Sequence, residues 1–155
     1  MYRCSVCYLQ LPFTPDPGDD PAQKEEHHRY LAFRKVRHTI LRLIGHHYRR
    51  PKGTHRSWQG CDLDLTGVTI HGEMDFENAS FSGSRGSFRD ATFSGGKVWF
   101  GGATFSGGEV LFDDATFSGG EVSFADATGS VPAGLLTAVG AAPITVPQAW
   151  LRVDP

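Results

Sequence analysis

The segments ATFSGGKVWFGG (Ala91–Gly102), ATFSGGEVLFDD (Ala103–Asp114) and ATFSGGEVSFAD (Ala115–Asp126) follow one another without a break and differ at few positions. A short fixed period marks a stacked repeat architecture, in which no unit buries its own apolar face alone. Upstream, ASFSGSRGSFRD (Ala79–Asp90) and GVTIHGEMDFEN (Gly67–Asn78) continue the frame; downstream it decays at Ala127–Ser130. Nine of the eleven phenylalanines fall in it, at Phe76, Phe81, Phe88, Phe93, Phe100, Phe105, Phe112, Phe117 and Phe124, with steps alternating between five and seven residues.

Each of these aromatics has a small or apolar residue two places before it: Met74, Ala79, Gly86, Ala91, Val98, Ala103, Val110, Ala115 and Val122. Residues two apart on an extended chain share a face, so each pair forms one inward edge and the residue between them faces water. A five-residue step makes one straight edge and one corner. The seven-residue step holds the same unit plus Gly95-Gly96, Gly107-Gly108 or Gly119-Gly120, and paired glycines supply the positive φ of a bulged corner. Each buried Phe contributes roughly 1.5 to 3 kcal/mol.

Cys61-Asp62-Leu63-Asp64-Leu65, Thr66-Gly67-Val68-Thr69-Ile70 and the Ala-Thr-Phe-Ser-Gly units over about residues 61 to 128 resemble the pentapeptide-repeat family, whose consensus is Ala-Asp/Asn-Leu/Phe-x-x. The resemblance implies an all-β solenoid, a right-handed quadrilateral parallel β-helix with one pentapeptide per side and the Phe and small residues stacked inside in columns. The two-residue insertions depart from the family pattern. They should swell two corners of every coil, so that four sides use two twelves. The boundary Ser57-Trp58-Gln59-Gly60-Cys61-Asp62 resembles actinobacterial members in which it follows a helical membrane anchor.

Roughly three coils stacked at about 4.8 Å give a cylinder only about 15 Å tall, whose ends would expose Phe and unpaired strand edges. Repeat arrays require caps. At the N-terminal side, Asp20 as N-cap, Pro21 and Gln23 predict a helix start. Phe33, Val36, Ile40, Leu43, Ile44 and Tyr48 recur at helical spacing, Gly45 is placed to bend or end the helix, and Pro51 closes it. This amphipathic α-helix is expected to lay its apolar stripe on one open end. Pro132–Leu136 predicts a short turn, and Ile144, Val146, Trp150 and Leu151 the cover for the other end. Four segments follow: a flexible N-terminal stretch (1–19), a basic amphipathic helix and linker (20–56), the β-helix (57–128) and a capping tail (129–155).

A net charge of −2 conceals a separation. Ten Lys or Arg stand against two Glu between Lys24 and Arg56, and eleven acids against three bases between Cys61 and Thr128. Charge of this kind speaks to partners rather than to fold. The candidate interaction surface is accordingly Arg34, Arg37, Arg42 and Arg49 on the helix with Glu109, Asp113, Asp114 and Glu121 on the wall. Cys4-Ser5-Val6-Cys7 is a lone CxxC without a second spaced pair, weak as a zinc signal. Three cysteines cannot all pair within the chain, so they read as reduced thiols. No nucleophile elbow, zinc-protease helix, Walker loop or dinucleotide fingerprint occurs, and Asp113 with Asp114 repeats at places held by Gly101-Gly102 and Ala125-Asp126.

The expectation is a non-enzymatic, cofactor-free protein-interaction or scaffolding module in the cytoplasm, with no direct contact to nucleic acid. The resemblance adds an alternative, since some family members present an acidic β-helix that imitates DNA and binds DNA gyrase. It also admits end-to-end pairing of two copies. A basic amphipathic helix brings a third reading, contact with the surface of an anionic membrane. Thr92, Thr104, Thr116 and Thr128 align at period twelve, as ice-binding threonines do, but four sides would split them into two columns.

Overall fold

A computed structural model describes residues 16–83, 85–137 and 143–152 together with the backbone of Arg3 and Cys4. After β1 (Arg3–Cys4) and α1 (Lys24–Arg49), short strands recur in coils. The first coil holds β2 (Asp62–Asp64), β3 (Thr69–Ile70), β4 (Met74–Asp75) and β5 (Ser80–Ser82). The second holds β6 (Arg85–Ser87), β7 (Thr92–Trp99) and β8 (Thr104–Ser106); the third holds β9 (Glu109–Leu111), β10 (Thr116–Ser123) and β11 (Thr128–Gly129). Both β7 and β10 run through a glycine corner and so serve two sides. Next come β12 (Ile144–Thr145) and the short α2 (Gln148–Leu151).

Every strand pairing is parallel, and the registers define four sides: Leu63, Gly86 and Val110; Ile70, Phe93 and Phe117; Met74, Val98 and Val122; Phe81 and Phe105, followed by Gly129. The chain is a parallel β-solenoid of about three turns with an N-terminal helix. Stacked positions such as Thr104 and Thr128 stand 24 residues apart, whereas Asp62 and Arg85 stand 23 apart. The missing residue lies at one corner. His71-Gly72-Glu73 joins Ile70 to Met74 where Ser94-Gly95-Gly96-Lys97 joins Phe93 to Val98. The expected frame of twelves from Gly67 is therefore corrected. Gly67, at φ 70°, fills the corner place of the preceding unit, and the first unit proper starts at Val68.

All nine frame phenylalanines are buried. Phe76, Phe100 and Phe124 stack at 5.3 and 4.7 Å with rings within 5° of parallel. Phe88 stacks on Phe112 at 4.8 Å, Phe93 on Phe117 at 4.7 Å and Phe81 on Phe105 at 5.3 Å. The ring spacing matches the strand spacing of about 4.8 Å, so side-chain stacking and backbone pairing favour the same register. Ala79, Ala103 and Ala127 form the small partner column on one side, and Val68, Ala91 and Ala115 on another.

Corners come in two kinds. After each Phe of one set a turn closes on the next small residue, as in Ala103 N–H to Phe100 O (3.0 Å) and Ala115 N–H to Phe112 O (3.0 Å). The third turn residue has positive φ: Asn78 (57°), Asp90 (55°), Gly102 (64°), Asp114 (57°) and Asp126 (57°). That is the signature of a type II turn, and Asn, Asp and Gly are the residues that tolerate it. At the other corners Gly72, Gly96 and Gly120 stack so closely that a Cβ on Gly96 would overlap the Gly72 backbone, and one on Gly120 the Gly96 carbonyl. The Gly95-Gly96 and Gly119-Gly120 insertions lie at these corners, where the β7–β10 register shifts.

Asp20 accepts a hydrogen bond from Ala22 N–H at 2.9 Å, and a 3-10 turn over Pro21–Gln23 leads directly into α1. The helix does cap the first coil, but rolled from the expected seat. Tyr30, Leu41, Ile44 and Tyr48 are buried, Ile40 is half-buried against the core, and Phe33, Val36 and Leu43 are 49%, 43% and 46% exposed. The reason lies in the strand edges. Gly45 neither bends nor ends the helix; it lets the backbone lie on β4, where a Cβ would overlap the carbonyl oxygen of Asp75. Beside it Arg49 donates to the carbonyls of Asp75 (2.8 Å) and Glu77 (2.6 Å), and Arg37 donates to Thr69 O (2.6 Å). The helix is oriented by satisfying the unpaired carbonyls of the first coil as much as by covering apolar surface. β1 pairs with β2 and covers a further edge.

Both caps extend the same aromatic column. Tyr48 stacks on Phe81 at 5.0 Å while its hydroxyl donates to Cys61 O (2.9 Å). At the far end Trp150 packs edgewise on Phe105 at 5.8 Å and donates from Nε1 to Gly129 O (3.0 Å). A Leu111–Ala133 bridge and β12, paired with β10, cover two further edges of the third coil. The predicted turn is a 3-10 turn at Leu135–Thr137. Ile144 and Val146 are half-buried on the core, but Leu151 is 59% exposed. Among the described residues no helix is long and apolar enough to cross a membrane.

Candidate functional site: a cationic cleft beside the capping helix

The short corner and the helix meet at the only place where the repeat loses a residue. Along α1, Leu31, Arg34, Lys35 and His38 share one flank by their spacing of three and four. Opposite them stand His71, Gly72 and Glu73 of the first coil with Gly96 and Lys97 of the second, and the space between is a cleft of about 570 Å³. Only Gly72 among these nine is half-buried; the others are exposed. At this corner His71 takes the place held by Ser94 and Ser118 in the later coils, and Glu73, just before Met74, aligns with Lys97 and Glu121, just before Val98 and Val122.

The electrostatics of the cleft are one-sided. Arg34, Lys35 and Lys97 make no ion pair with any described residue. Lys97 Nζ stands 5.5 Å from the centre of the Trp99 ring, a cation–π contact that holds the side chain over its own wall. His71 Nδ1 lies 3.2 Å from Ser94 Oγ. Glu73 is the single carboxylate in the lining. Near the start of α1, the Asp16 carboxyl is held below its ordinary range by the Gly18 backbone N–H and by the hydrogen bond from His27, with the charge of Arg34 a smaller contribution.

The residues expected to form one interaction surface have divergent tasks. Arg34 lines the cleft and Arg42 is exposed. Arg37 and Arg49 are turned inward onto strand edges, and Arg49 also pairs with the Asp75 carboxylate at 2.6 Å. On the wall, Glu109 pairs with Arg85 at 3.0 Å, and Glu121 stands in register beside Lys97. Asp114 is the positive-φ corner residue and Asp113 is half-buried beside it. The acidic wall is thus partly neutralised by its own interspersed bases, Arg85 and Lys97, while Arg34 and Lys35 on the helix make no ion pair with a described residue. Thr69, Thr92 and Thr116 form one column and Thr104 and Thr128 another, on separate sides. Cys4 and Cys7 lie outside the residues whose side chains are described; Cys61 is a free, half-buried thiol.

Sequence reading missed Lys35, His38, His71, Glu73 and Lys97 as a group. The available signal was the four-residue step from Ile70 to Met74 against five from Phe93 to Val98, which the fixed frame of twelves concealed. No protein-family model, curated protein or solved structure matches this chain.

Proposed function

We propose that this chain is a non-catalytic protein-interaction module of the pentapeptide-repeat type, working through its helix-capped end. The observation that carries this reading is the distribution of exposed apolar side chains. Leu31, Phe33, Val36 and Leu43, all on α1, are four of the six large hydrophobics that are exposed among the described residues, although they lie beside a face well buried on the solenoid. Solvent-facing apolar residues grouped on one element mark interaction surfaces more often than scattered ones do. The same element carries the exposed cations Arg34, Lys35 and Arg42, which favours a partner with apolar contacts and an acidic rim. The pentapeptide-type reading is supported by the four sides per coil and by the inward Phe columns.

The test uses the whole chain as bait in cross-linked capture. Val36→Ser/Leu43→Ser should lose the partner, while Glu109→Gln/Glu121→Gln keeps it. Loss with the second pair instead would move the working surface to the acidic wall, where gyrase binding is assayed as inhibition of supercoiling. Salt-sensitive co-sedimentation with anionic vesicles in place of capture would favour the membrane reading.

A further inference from the structure

We propose that the cleft between α1 and the His71–Glu73 corner is a binding site for a soluble phosphomonoester. Three permanent cations, Arg34, Lys35 and Lys97, face a single carboxylate, Glu73. The surplus is two positive charges, which matches the charge of about −1.5 to −2 on a phosphomonoester near neutral pH. A lone carboxylate would leave half of it unbalanced. Among the described residues Arg29, Arg49 and Arg85 are held in ion pairs with Glu25, Asp75 and Glu109, as the three cleft cations are not. Like charges grouped in excess over their counter-ions repel one another, so an anion that enters relieves the repulsion as well as gaining its own contacts.

The shape agrees with a small ligand. A volume of about 570 Å³ lies within the roughly 300 to 1,000 Å³ usual for small-molecule sites. The two walls contribute different chemistry. Arg34 offers a planar fork of N–H donors suited to two phosphate oxygens, and Lys35 and Lys97 act as point charges. Gly72 leaves the corner open where a side chain would stand, so an oxyanion can approach the backbone closely. His38 adds ring nitrogens for further hydrogen bonds, and Glu73 is the acceptor for a hydroxyl or ammonium on the rest of the ligand. The cleft shares Leu31, Arg34 and Lys35 with the proposed docking face, but Val36 and Leu43, the positions that test that face, lie on another flank of α1, so failure of one site is distinguishable from failure of the other.

Amide chemical shifts of the full chain, followed at constant ionic strength while inorganic phosphate and then phenyl phosphate are added, test the assignment. Saturable shifts confined to residues 31–38, 71–73 and 95–98 are expected. In Arg34→Gln/Lys97→Gln the dissociation constant should rise at least tenfold with the remaining spectrum unchanged, since both side chains are exposed. Shifts that do not saturate, that spread over Arg29, Arg42 and Arg50 alike, or that persist in the double variant would overturn the site. Binding to phosphatidic acid vesicles without any response to the soluble phosphates would overturn the soluble ligand.

Discussion

A single residue type explains the acidic pairs that punctuate the repeat. Asp90, Asp114 and Asp126 stand where the backbone must take positive φ, so the carboxylates at these places answer first to conformation. Asp113 and Asp114, read in sequence as neighbouring acids, belong to one corner, and only the second is constrained. Replacing Asp114 by Gly should leave the unfolding midpoint unchanged or raised. Asp114→Val should cost about 1 to 2 kcal/mol, because a β-branched residue resists the left-handed region; thermal or denaturant unfolding reads both. Gly45 offers a sharper test. Helix propensity alone would make Gly45→Ala stabilising by about 1 kcal/mol, yet the Cβ would overlap the Asp75 carbonyl. The expected result is a net loss of about 1 to 3 kcal/mol, the range for overpacked sites. A gain would show that the helix does not rest on β4.

At the scale of elements, the strands were far easier to read than the helix. Each inward pair is specified locally, since an apolar residue two places before a Phe has only one way to share its face. The Phe105→Asp variant should accordingly unfold the solenoid, because a carboxylate would enter a column between Phe81 and Trp150; a retained cooperative melting transition would count against the register. The helix was legible in its start, its length and its capping task, but its seat was not. Periodicity ranked Phe33, Val36 and Leu43 with Ile44 and Tyr48, whereas the structure separates them. What decides between two neighbouring stripes is the hydrogen-bonding demand of the first coil, met by Arg37 and Arg49. That demand is carried by backbone carbonyls far along the chain and leaves no trace in helical periodicity.

For the whole molecule, the arrangement is a short stack closed at both ends by aromatic rings. Tyr48 and Trp150 bracket the Phe81–Phe105 column, although they lie outside the repeat. Their participation could be guessed from the need for caps but not their common column. The cleft was hidden for a related reason: it arises between an element outside the repeat and the one corner at which the repeat is irregular, so neither part announces it alone. Sites of this kind belong to the junction of two patterns rather than to either pattern.

The offset of 24 residues between the second and third coils carries a consequence for inheritance. The upper surface of the second coil and that of the third present nearly the same columns, so a duplicated or deleted stretch of 24 codons would still hand a familiar seat to the tail. Recombination between such similar stretches of a gene is in-frame whenever it slips by one coil. The height of the cylinder can therefore change in a single genetic event, by about 4.8 Å, while the folding instructions in the capping segments are passed on untouched.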